Sequence, residues 1–512
     1  MGFLVVGSGP SGVAVATALL QAGRSVTMLD VGKTLERDRA AARDFLATRP
    51  PTSWEPEDRS HWQAGQFDTP AGQVRRYGSD FAMEPAEATF AKGAADIGLR
   101  ASHALGGLSN LWGSAILPYR SADMAGWPIT AADLAPHYQA LAEFMPIAAV
   151  PDALQGLFPE APVGSQGGLT PPPQSQELLR RLAANQPRLN HLGLTAGQSR
   201  QSVDTGCRMC GQCLHGCPWE LIWSARQQVK RLRTHPNFTY RTIAPLRRVE
   251  EAPESVRLHL ADGQSLTAER VFLATGVLET SRILLASSLG GECLTLRDSH
   301  HGFLPALHLW SSPTRPDRGP THSLPQAFVE MEAPDLSPWL IHAQLYGWNE
   351  YFERDLLAAY GRRLPGTAPF WRALARRLIV SQIFLHSDHS AKVRLTLATD
   401  GRLKAKAEPN PATGPLFDAA CHRLGRGLRK VGLLPLLFAR RQNQIGSSFH
   451  AGATLPMSAA PRPGQSDRLG RPHGHARLHL VDASILPAIP ATTITLTVMA
   501  NAHRIGAYFS NG

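Results

Sequence analysis

Four of the six cysteines in the chain lie close together, between residues 207 and 217. They are Cys207, Cys210, Cys213 and Cys217, and Pro218 follows them. The spacing C-x2-C-x2-C-x3-C-P is typical of a loop that wraps its thiolates around an iron–sulfur cluster. Because the run occurs only once, it leaves open a 4Fe-4S cluster, a 3Fe-4S cluster on three cysteines, or a remote ligand from Cys293 or Cys421. A structural zinc site, a pair of disulfides and a run without metal are the alternatives.

A glycine-rich turn near the start of the chain has the pattern of a dinucleotide site. The motif G-x-G-x-x-G is formed by Gly7, Gly9 and Gly12, with Pro10 and Ser11 inside it. Gly7 permits the tight turn, Gly9 lets the backbone approach a pyrophosphate, and Gly12 lets the following helix pack on the strand. The helix N-terminus then offers N–H groups to phosphate oxygens. Asp30, at the end of the next strand, can accept hydrogen bonds from an adenosine ribose.

A second stretch of small residues, 105–113, predicts another close approach of the backbone to a flat ligand. The residues that we expect to contact such a ligand are Gly106, Gly107, Ser109, Asn110 and Trp112.

Short apolar runs must position these motifs. Residues 3–6 and 25–29 read as buried parallel strands on either side of a helix, and residues 270–276 are a further strand that ends at a glycine before a helix. Between about 300 and 441, short alternating runs suggest antiparallel strands instead. The sequence therefore predicts an α/β chain with a doubly wound, Rossmann-like domain and a second domain built on an antiparallel sheet, of α+β type.

Four segments together resemble the glucose–methanol–choline (GMC) family of flavin-dependent oxidoreductases. They are the N-terminal fingerprint, VFLATGVLETSRILL (271–285), HAGATLPM (450–457) and VDASILPAIPATTITLTVMANAHRIG (481–506). The Gly106-Gly107 and Trp112-Gly113 pairs are similar to a bacterial branch of the family. The resemblance implies an FAD domain with an antiparallel, six-stranded substrate domain. It implies further FAD contacts at Leu246, Ala274, Gly276, Asp482, Ala483 and Thr495.

Flavin chemistry on an alcohol needs a base for the hydroxyl proton and an acceptor for the hydride. The resemblance implies that His450 is the base and that flavin N5 takes the hydride from an alcohol, polyol or sugar-like substrate. Many family members place His or Asn, followed by Pro, at a second polar position, where this chain has Thr493 and Ile494. Because a threonine hydroxyl is a poor base, we expect Thr493 only to orient the substrate.

The cysteine run adds a route for the electrons. Some dehydrogenases of the family carry a cluster in a similar position, and the resemblance then implies that electrons pass from FAD through the cluster to an external acceptor or a partner subunit. Two alternatives stay open. One is an oxidase that uses oxygen and keeps vestigial cysteines, and the other is a non-catalytic flavoprotein that serves as an electron-transfer subunit.

Composition sets broader limits. The chain has 512 residues, with 43% hydrophobic and 18% charged residues, which is a globular composition of about two domains. The net charge of +11 favours acidic partners, and the basic stretch 423–441 suggests peripheral membrane association as one option, but no nucleic-acid motif is present. Without a signal peptide or an apolar span, we expect a cytoplasmic protein, although export with a partner subunit stays open.

The motifs divide the chain into five segments. The FAD-binding domain is predicted from residues 1–125, from 191–299 with the cysteine run 207–217, and from 445–512 with the active-site segments. Residues 126–190 are predicted to be a helical connecting segment of the substrate domain, and residues 300–444 the substrate-binding domain itself.

Overall fold

A computed structural model describes residues 2–63, 81–91, 97–162, 167–310, 316–317, 319–361 and 366–511. Its helices are α1 (Pro10–Gln21), α2 (Arg37–Ala47), α3 (Pro56–Gln63), α4 (Ala86–Thr89), α5 (Ala131–Ala142), α6 (Pro173–Ala184), α7 (Gln186–Asn190), α8 (Ala225–Leu232), α9 (Val277–Ala286), α10 (Glu350–Leu356), α11 (Ala368–Ala375), α12 (Thr413–Lys430) and α13 (Thr495–Ala507). No helix in these ranges is long and apolar enough to cross a bilayer.

The strands follow in chain order. They are β1 (Phe3–Val6), β2 (Val26–Asp30), β3 (Leu194–Gln198), β4 (Phe238–Thr242), β5 (Leu246–Ala252), β6 (Ser255–Leu260), β7 (Ser265–Ala268), β8 (Arg270–Leu273), β9 (Leu294–Asp298), β10 (His301–His308), β11 (Ala327–Met331), β12 (Ile341–Tyr346), β13 (Leu378–Phe384), β14 (Lys392–Leu397), β15 (Leu403–Glu408), β16 (Leu433–Pro435), β17 (Arg441–Gln442), β18 (Ala451–Gly452) and β19 (Leu478–Leu480).

A parallel sheet of five strands, in the order β19-β8-β1-β2-β4, carries the first glycine-rich turn after β1 and the turn at Gly276 after β8. Its central strands are apolar on both faces because helices cover them. Helix α13 packs closely on α1, where a Cβ at Gly506 would lie 2.8 Å from the Val15 carbonyl oxygen. This arrangement confirms the predicted Rossmann-like domain and brings the two ends of the chain together.

An antiparallel sheet of seven strands forms the second layer of the molecule. Its order is β16-β10-β13-β12-β11-β3, and β17 also pairs with β10. One face packs against α6, α7 and α12 through buried residues such as Leu304, Ile383 and Phe417. The predicted antiparallel sheet is therefore present, with one strand more than the six that the family resemblance implied.

Strand β3 shows that the two large sheets are built from neighbouring segments of the chain. Its residues lie inside the predicted second FAD segment, 191–299, yet they pair with β11 at the edge of the antiparallel sheet. The predicted domain boundaries stay predictions. Two smaller sheets, β15-β14-β9-β18 and β5-β6-β7, complete the strands, and β18 directly follows His450.

Candidate active site

The first glycine-rich turn is shaped by backbone contacts too close for a side chain. Gly7 has a φ of 101°, and a Cβ there would lie 2.4 Å from the Ala274 carbonyl oxygen. A Cβ at Gly12 would lie 2.0 Å from the Gly7 carbonyl oxygen. Only glycine fits at these two positions. The contacts pack the turn between β1 and α1 against the turn after β8.

Gly9 differs from its two neighbours because nothing lies within 4 Å of the place where its Cβ would be. It precedes α1 with a φ of −65°, and no side chain caps the first turn of this helix. The unpaired N–H groups therefore face open space, which is the arrangement that a pyrophosphate needs. The turn fits the phosphates of FAD.

Asp30 ends β2 beside this turn and is buried. The Ser8 hydroxyl donates a short hydrogen bond to its carboxylate, and the Tyr240 hydroxyl donates another at 3.2 Å. Burial raises the pKa of Asp30 to about 6 despite these two hydrogen bonds. Because the buried carboxylate is poorly solvated, hydrogen bonds donated by ribose hydroxyls would stabilise its ionised form.

A first cavity of about 220 Å³ lies over this turn. It is lined by most of the predicted FAD contacts, namely Gly7, Gly9, Pro10, Ser11, Asp30, Gly107, Leu246, Ala274, Gly276, Asp482, Ala483 and Thr495. Gly12 and Gly106 line neither this cavity nor the next, because both are packed against backbone atoms. The sequence did not identify the wall formed by residues 99–104, which has no repeating pattern or motif.

The second glycine-rich stretch folds into a short 3₁₀ turn held by its own side chains. Ser109 donates to the Gly106 carbonyl oxygen at 2.6 Å, and Asn110 donates to the Gly107 carbonyl oxygen at 2.8 Å. The Trp112 indole donates to the Trp223 carbonyl oxygen at 2.8 Å. Their side chains are fixed by these bonds, and Ser109, Asn110 and Trp112 line a second cavity.

The second cavity has a volume of about 410 Å³ and is bounded by the antiparallel sheet. Five residues line both cavities, so the two are adjacent: Pro10, Leu108, Phe449, Ile494 and Thr495. An elongated ligand can therefore begin at the phosphate turn and end in the second cavity. The residues present fit FAD, with space left beyond it for a small substrate.

His450 lines this second cavity, in a loop held by Asp298. The Asp298 carboxylate accepts from the Gly446 amide at 2.8 Å and from the Ser448 hydroxyl at 2.7 Å. Phe449 takes a left-handed φ of 61°, which is uncommon outside glycine. The His450 ring then stacks on Phe384 with a centroid distance of 4.9 Å.

Burial and the nearby His342 lower the pKa of His450 to about 3. The imidazole is therefore neutral at physiological pH, which is the state that can accept a proton. Its Nδ1 is buried and has no hydrogen-bond partner within the described parts of the chain.

Thr493 also lines the second cavity, but its hydroxyl oxygen is in use. It accepts from the Leu117 amide at 2.7 Å, as Thr497 accepts from the Tyr119 amide at 3.1 Å. Both threonines thereby fasten the C-terminal segment to residues 115–119. The hydroxyl proton of Thr493 is left to donate to a ligand.

The cysteine run lies in the connection between β3 and α8. All four cysteines are free thiols, and burial raises the pKa of each of them, to about 12 for Cys213. Cys213 lines the second cavity. Among the described residues, however, no group of three or more His, Cys, Asp or Glu side chains could hold a metal ion. The geometry does not support the predicted iron–sulfur ligation by Cys207, Cys210, Cys213 and Cys217.

The antiparallel sheet contributes polar residues that the sequence did not identify, above all Gln344, Tyr346 and Gln382. Alternation along each strand can place such residues on one face. It cannot give the pairing register between strands, which brings them together.

Comparisons with known proteins agree with this geometry. Residues 435–502 match a family model described as GMC oxidoreductase. The fold is similar to that of pyridoxine 4-oxidase from Mesorbium loti, with a TM-score of 0.62, 14% identity, and coverage of 99% of this chain and 98% of that one. It is also similar to that of a formate oxidase, with a TM-score of 0.60, 14% identity, and coverage of 99% and 97%. No curated protein matches the sequence.

Two glycine substitutions separate ligand binding from folding. Gly9→Ala adds a methyl group in open space at an ordinary φ, so we expect the apoprotein to lose less than about 1 kcal/mol of stability while FAD binds much more weakly. Gly12→Ala must displace the Gly7 carbonyl. We therefore expect the apoprotein to lose about 1–3 kcal/mol of stability, in addition to the weaker binding of FAD. Thermal unfolding of the apoproteins and FAD titration measure both effects. Normal FAD affinity in Gly9→Ala would disprove the proposed phosphate site.

Asp30 predicts a pH dependence of FAD affinity. Ribose hydroxyls that donate to the carboxylate favour its ionised form, so the bound state has a pKa below the value of about 6 in the free protein. Affinity is then fully present above pH 6 and falls as the pH drops below it, by at most about tenfold per pH unit. Titrations between pH 5 and 8 measure this slope, with Asp30→Asn as the variant that should lack it. An equal slope in both proteins would contradict the assignment.

Proposed function

We propose that the chain is a GMC-type oxidoreductase that oxidises the CH–OH group of a small molecule with FAD as its cofactor. The observation that carries this proposal is the neutral, half-buried His450 in the wall of a cavity that adjoins the phosphate turn. Bound FAD supplies the two-electron acceptor that takes a hydride from the carbinol carbon. The protein must hold the alcohol, take its hydroxyl proton and keep water out.

His450 is the group we assign to the proton. A neutral imidazole accepts the hydroxyl proton as the carbinol carbon loses its hydride, which leaves a carbonyl product. Phe384 stacks on one face of the ring and fixes its plane. Thr493, whose oxygen already accepts from Leu117, is assigned to donate its proton to the substrate oxygen. A flavoprotein that only transfers electrons would need neither a proton acceptor nor a cavity beside it.

Oxygen is the electron acceptor that we favour. The alcohol loses two electrons and two protons, and oxygen takes up both pairs as hydrogen peroxide. Both structural neighbours named above are oxidases by name. The described cysteines do not form a metal-ligand group, so we draw no electron-transfer step through them.

A second candidate function is a dehydrogenase that reduces an external acceptor or a partner subunit. The ferredoxin-like spacing and the position of Cys213 in the cavity wall favour it. The basic stretch 423–441 gives less support for membrane docking, because Arg423 pairs with Asp335 and Arg440 with Asp418.

Replacement of His450 tests the base. His450→Ala should retain FAD and stability but reduce flavin reduction by alcohols by about 10²–10⁴-fold, because only the proton acceptor is removed. The wild-type rate with saturating FAD should stay flat from pH 8 down to about pH 5, because the imidazole becomes charged only near its pKa of about 3. Stopped-flow absorbance at the flavin band measures both.

The matched control is His473→Ala, which removes an exposed histidine and should change neither rate nor profile. A rate in His450→Ala equal to that of the wild type would remove His450 from the reaction. A loss of wild-type activity around pH 6.5 that disappears in His450→Ala would contradict its low pKa.

Iron content and acceptor preference decide between oxygen and an external acceptor or partner subunit. We expect anaerobically purified protein to lack stoichiometric iron and acid-labile sulfide, and oxygen to support turnover. Cys210→Ser should then leave both flavin reduction and oxygen use unchanged, as should the control Cys293→Ser outside the run. Stoichiometric iron, with one-electron acceptors preferred over oxygen and lost in Cys210→Ser alone, would establish the second candidate instead.

A further inference from the structure

The pairing register of the antiparallel sheet builds one polar surface on the side that faces the second cavity. Glu330 on β11 is paired with His342 on β12, and His342 with Phe384 on β13. Two residues along, Gln344 is paired with Gln382. Residues two apart on a strand share a face, so both rows point the same way.

A chain of hydrogen bonds runs along this surface from the interior to the cavity. Glu330 and His342 are fully buried, with the Glu330 Oε1 and His342 Nδ1 atoms 2.7 Å apart. His342 Nε2 lies 3.1 Å from the Gln344 amide nitrogen, and the Tyr346 hydroxyl donates to the Gln344 oxygen at 2.7 Å.

The Gln344 amide fixes the direction of the bonds in this chain. Its nitrogen faces His342 and can only donate, so His342 accepts at Nε2 and its Nδ1 faces the Glu330 carboxylate as a donor. The Gln344 oxygen faces Tyr346 and accepts from its hydroxyl. The Tyr346 hydroxyl has a single proton, which goes to this oxygen.

Gln382 lines the second cavity with hydrogen-bonding groups that the protein leaves unused. Within the described residues, the only polar contact of its side chain is the 3.2 Å between its Oε1 atom and the Tyr346 hydroxyl oxygen. Tyr346 has given its proton to the closer Gln344, so the amide of Gln382 keeps donors and an acceptor for a ligand. It lines the second cavity beside Phe384, on which the His450 ring stacks.

The cavity is also selective for charge. Among the described residues that line it there is no arginine or lysine, and its one carboxylate, Asp355, already has a partner. The described part of this wall therefore has no cationic side chain, although the net charge of the chain is +11. A buried anionic substrate would have no counter-charge there, while aromatic side chains such as Phe303 and Phe384 offer apolar walls.

We propose that Gln382 binds a second, uncharged polar group of the substrate, and that the Glu330–His342 pair sets the orientation of this contact through Gln344 and Tyr346. This inference rests on the proposed alcohol oxidation. The substrate class is an uncharged alcohol with a flat apolar body and one further neutral hydrogen-bonding group. Glu330 and His342 are positioning residues, since they lie behind the surface that the substrate touches.

Three probes of similar size test the inference: 1,4-benzenedimethanol, 4-methylbenzyl alcohol and 4-(hydroxymethyl)benzoate. We measure kcat and KM for flavin reduction by each. For the wild type we expect the diol to have the highest kcat/KM and the benzoate to fall at least about 100-fold below it, because its charge is buried unpaired. In Gln382→Leu the diol should lose about tenfold in kcat/KM through KM, whereas the methyl compound should change little.

Glu330→Gln tests the positioning chain without changing its shape. The new amide can donate to His342 and so reverse the direction of the hydrogen bonds in the chain. The difference in KM between the diol and the methyl compound should then become smaller, while kcat with the methyl compound stays the same. Gln176→Leu, an exposed glutamine on α6, is the matched control and should alter neither. A merely structural role for Glu330 would lower the melting temperature and leave the preference intact, which would overturn its part of the inference.

Equal losses for the diol and the methyl compound in Gln382→Leu, or a benzoate as good as the diol, would overturn the inference as a whole. If no probe reduces the flavin, the proposed alcohol oxidation fails. The inference is then decided by binding of the same probes, measured from their perturbation of the flavin spectrum. The same order of preference, lost in Gln382→Leu, supports it, and equal binding of all three refutes it.

Discussion

The close packing of α13 on α1 is the contact on which the rest of the site depends. Gly506 lets the two helices approach so closely that a methyl group there would meet the Val15 carbonyl oxygen at 2.8 Å. The same approach places Ile494 and Thr495, at the start of α13, between the two cavities. Because α1 carries the phosphate turn at its own N-terminus, one helix pair aligns the phosphate end and the reactive end of the site.

Burial, more than charge pairing, sets the electrostatics of this site. It raises the pKa of Asp30 and of Asp298 to about 6, and it lowers the pKa of His301 and of His450 to about 3. The second cavity therefore has neutral imidazoles and amides in its wall, within a strongly basic chain. Such a wall suits the removal of a hydride and a proton from an uncharged alcohol.

The sequence predicted the parts of the site that depend on local geometry. Gly7 and Asp30 could be identified because a tight turn after a strand, followed by an acid at a fixed distance, has a pattern of its own. His450 and Thr493 could be identified only through the family resemblance, and the structure places both in one cavity wall. Their chemical roles stay predictions.

The remaining residues depend on contacts between distant parts of the chain. Gln344 and Gln382 are 38 positions apart in the sequence and meet only through strand register. The cysteine run shows the opposite case. Its spacing predicted a metal centre from local pattern alone, but ligation also requires the loop to close around the ion, and the four thiols do not form such a group.

The primary isotope effect on flavin reduction tests the central claim most directly. FAD-loaded protein is mixed anaerobically with 1,4-benzenedimethanol and with the same alcohol deuterated at its carbinol carbons, and the flavin absorbance is followed. Hydride transfer from the carbinol carbon in the second cavity predicts full bleaching that is several-fold slower with the deuterated alcohol. Equal rates, or no bleaching with any uncharged alcohol, would contradict the account.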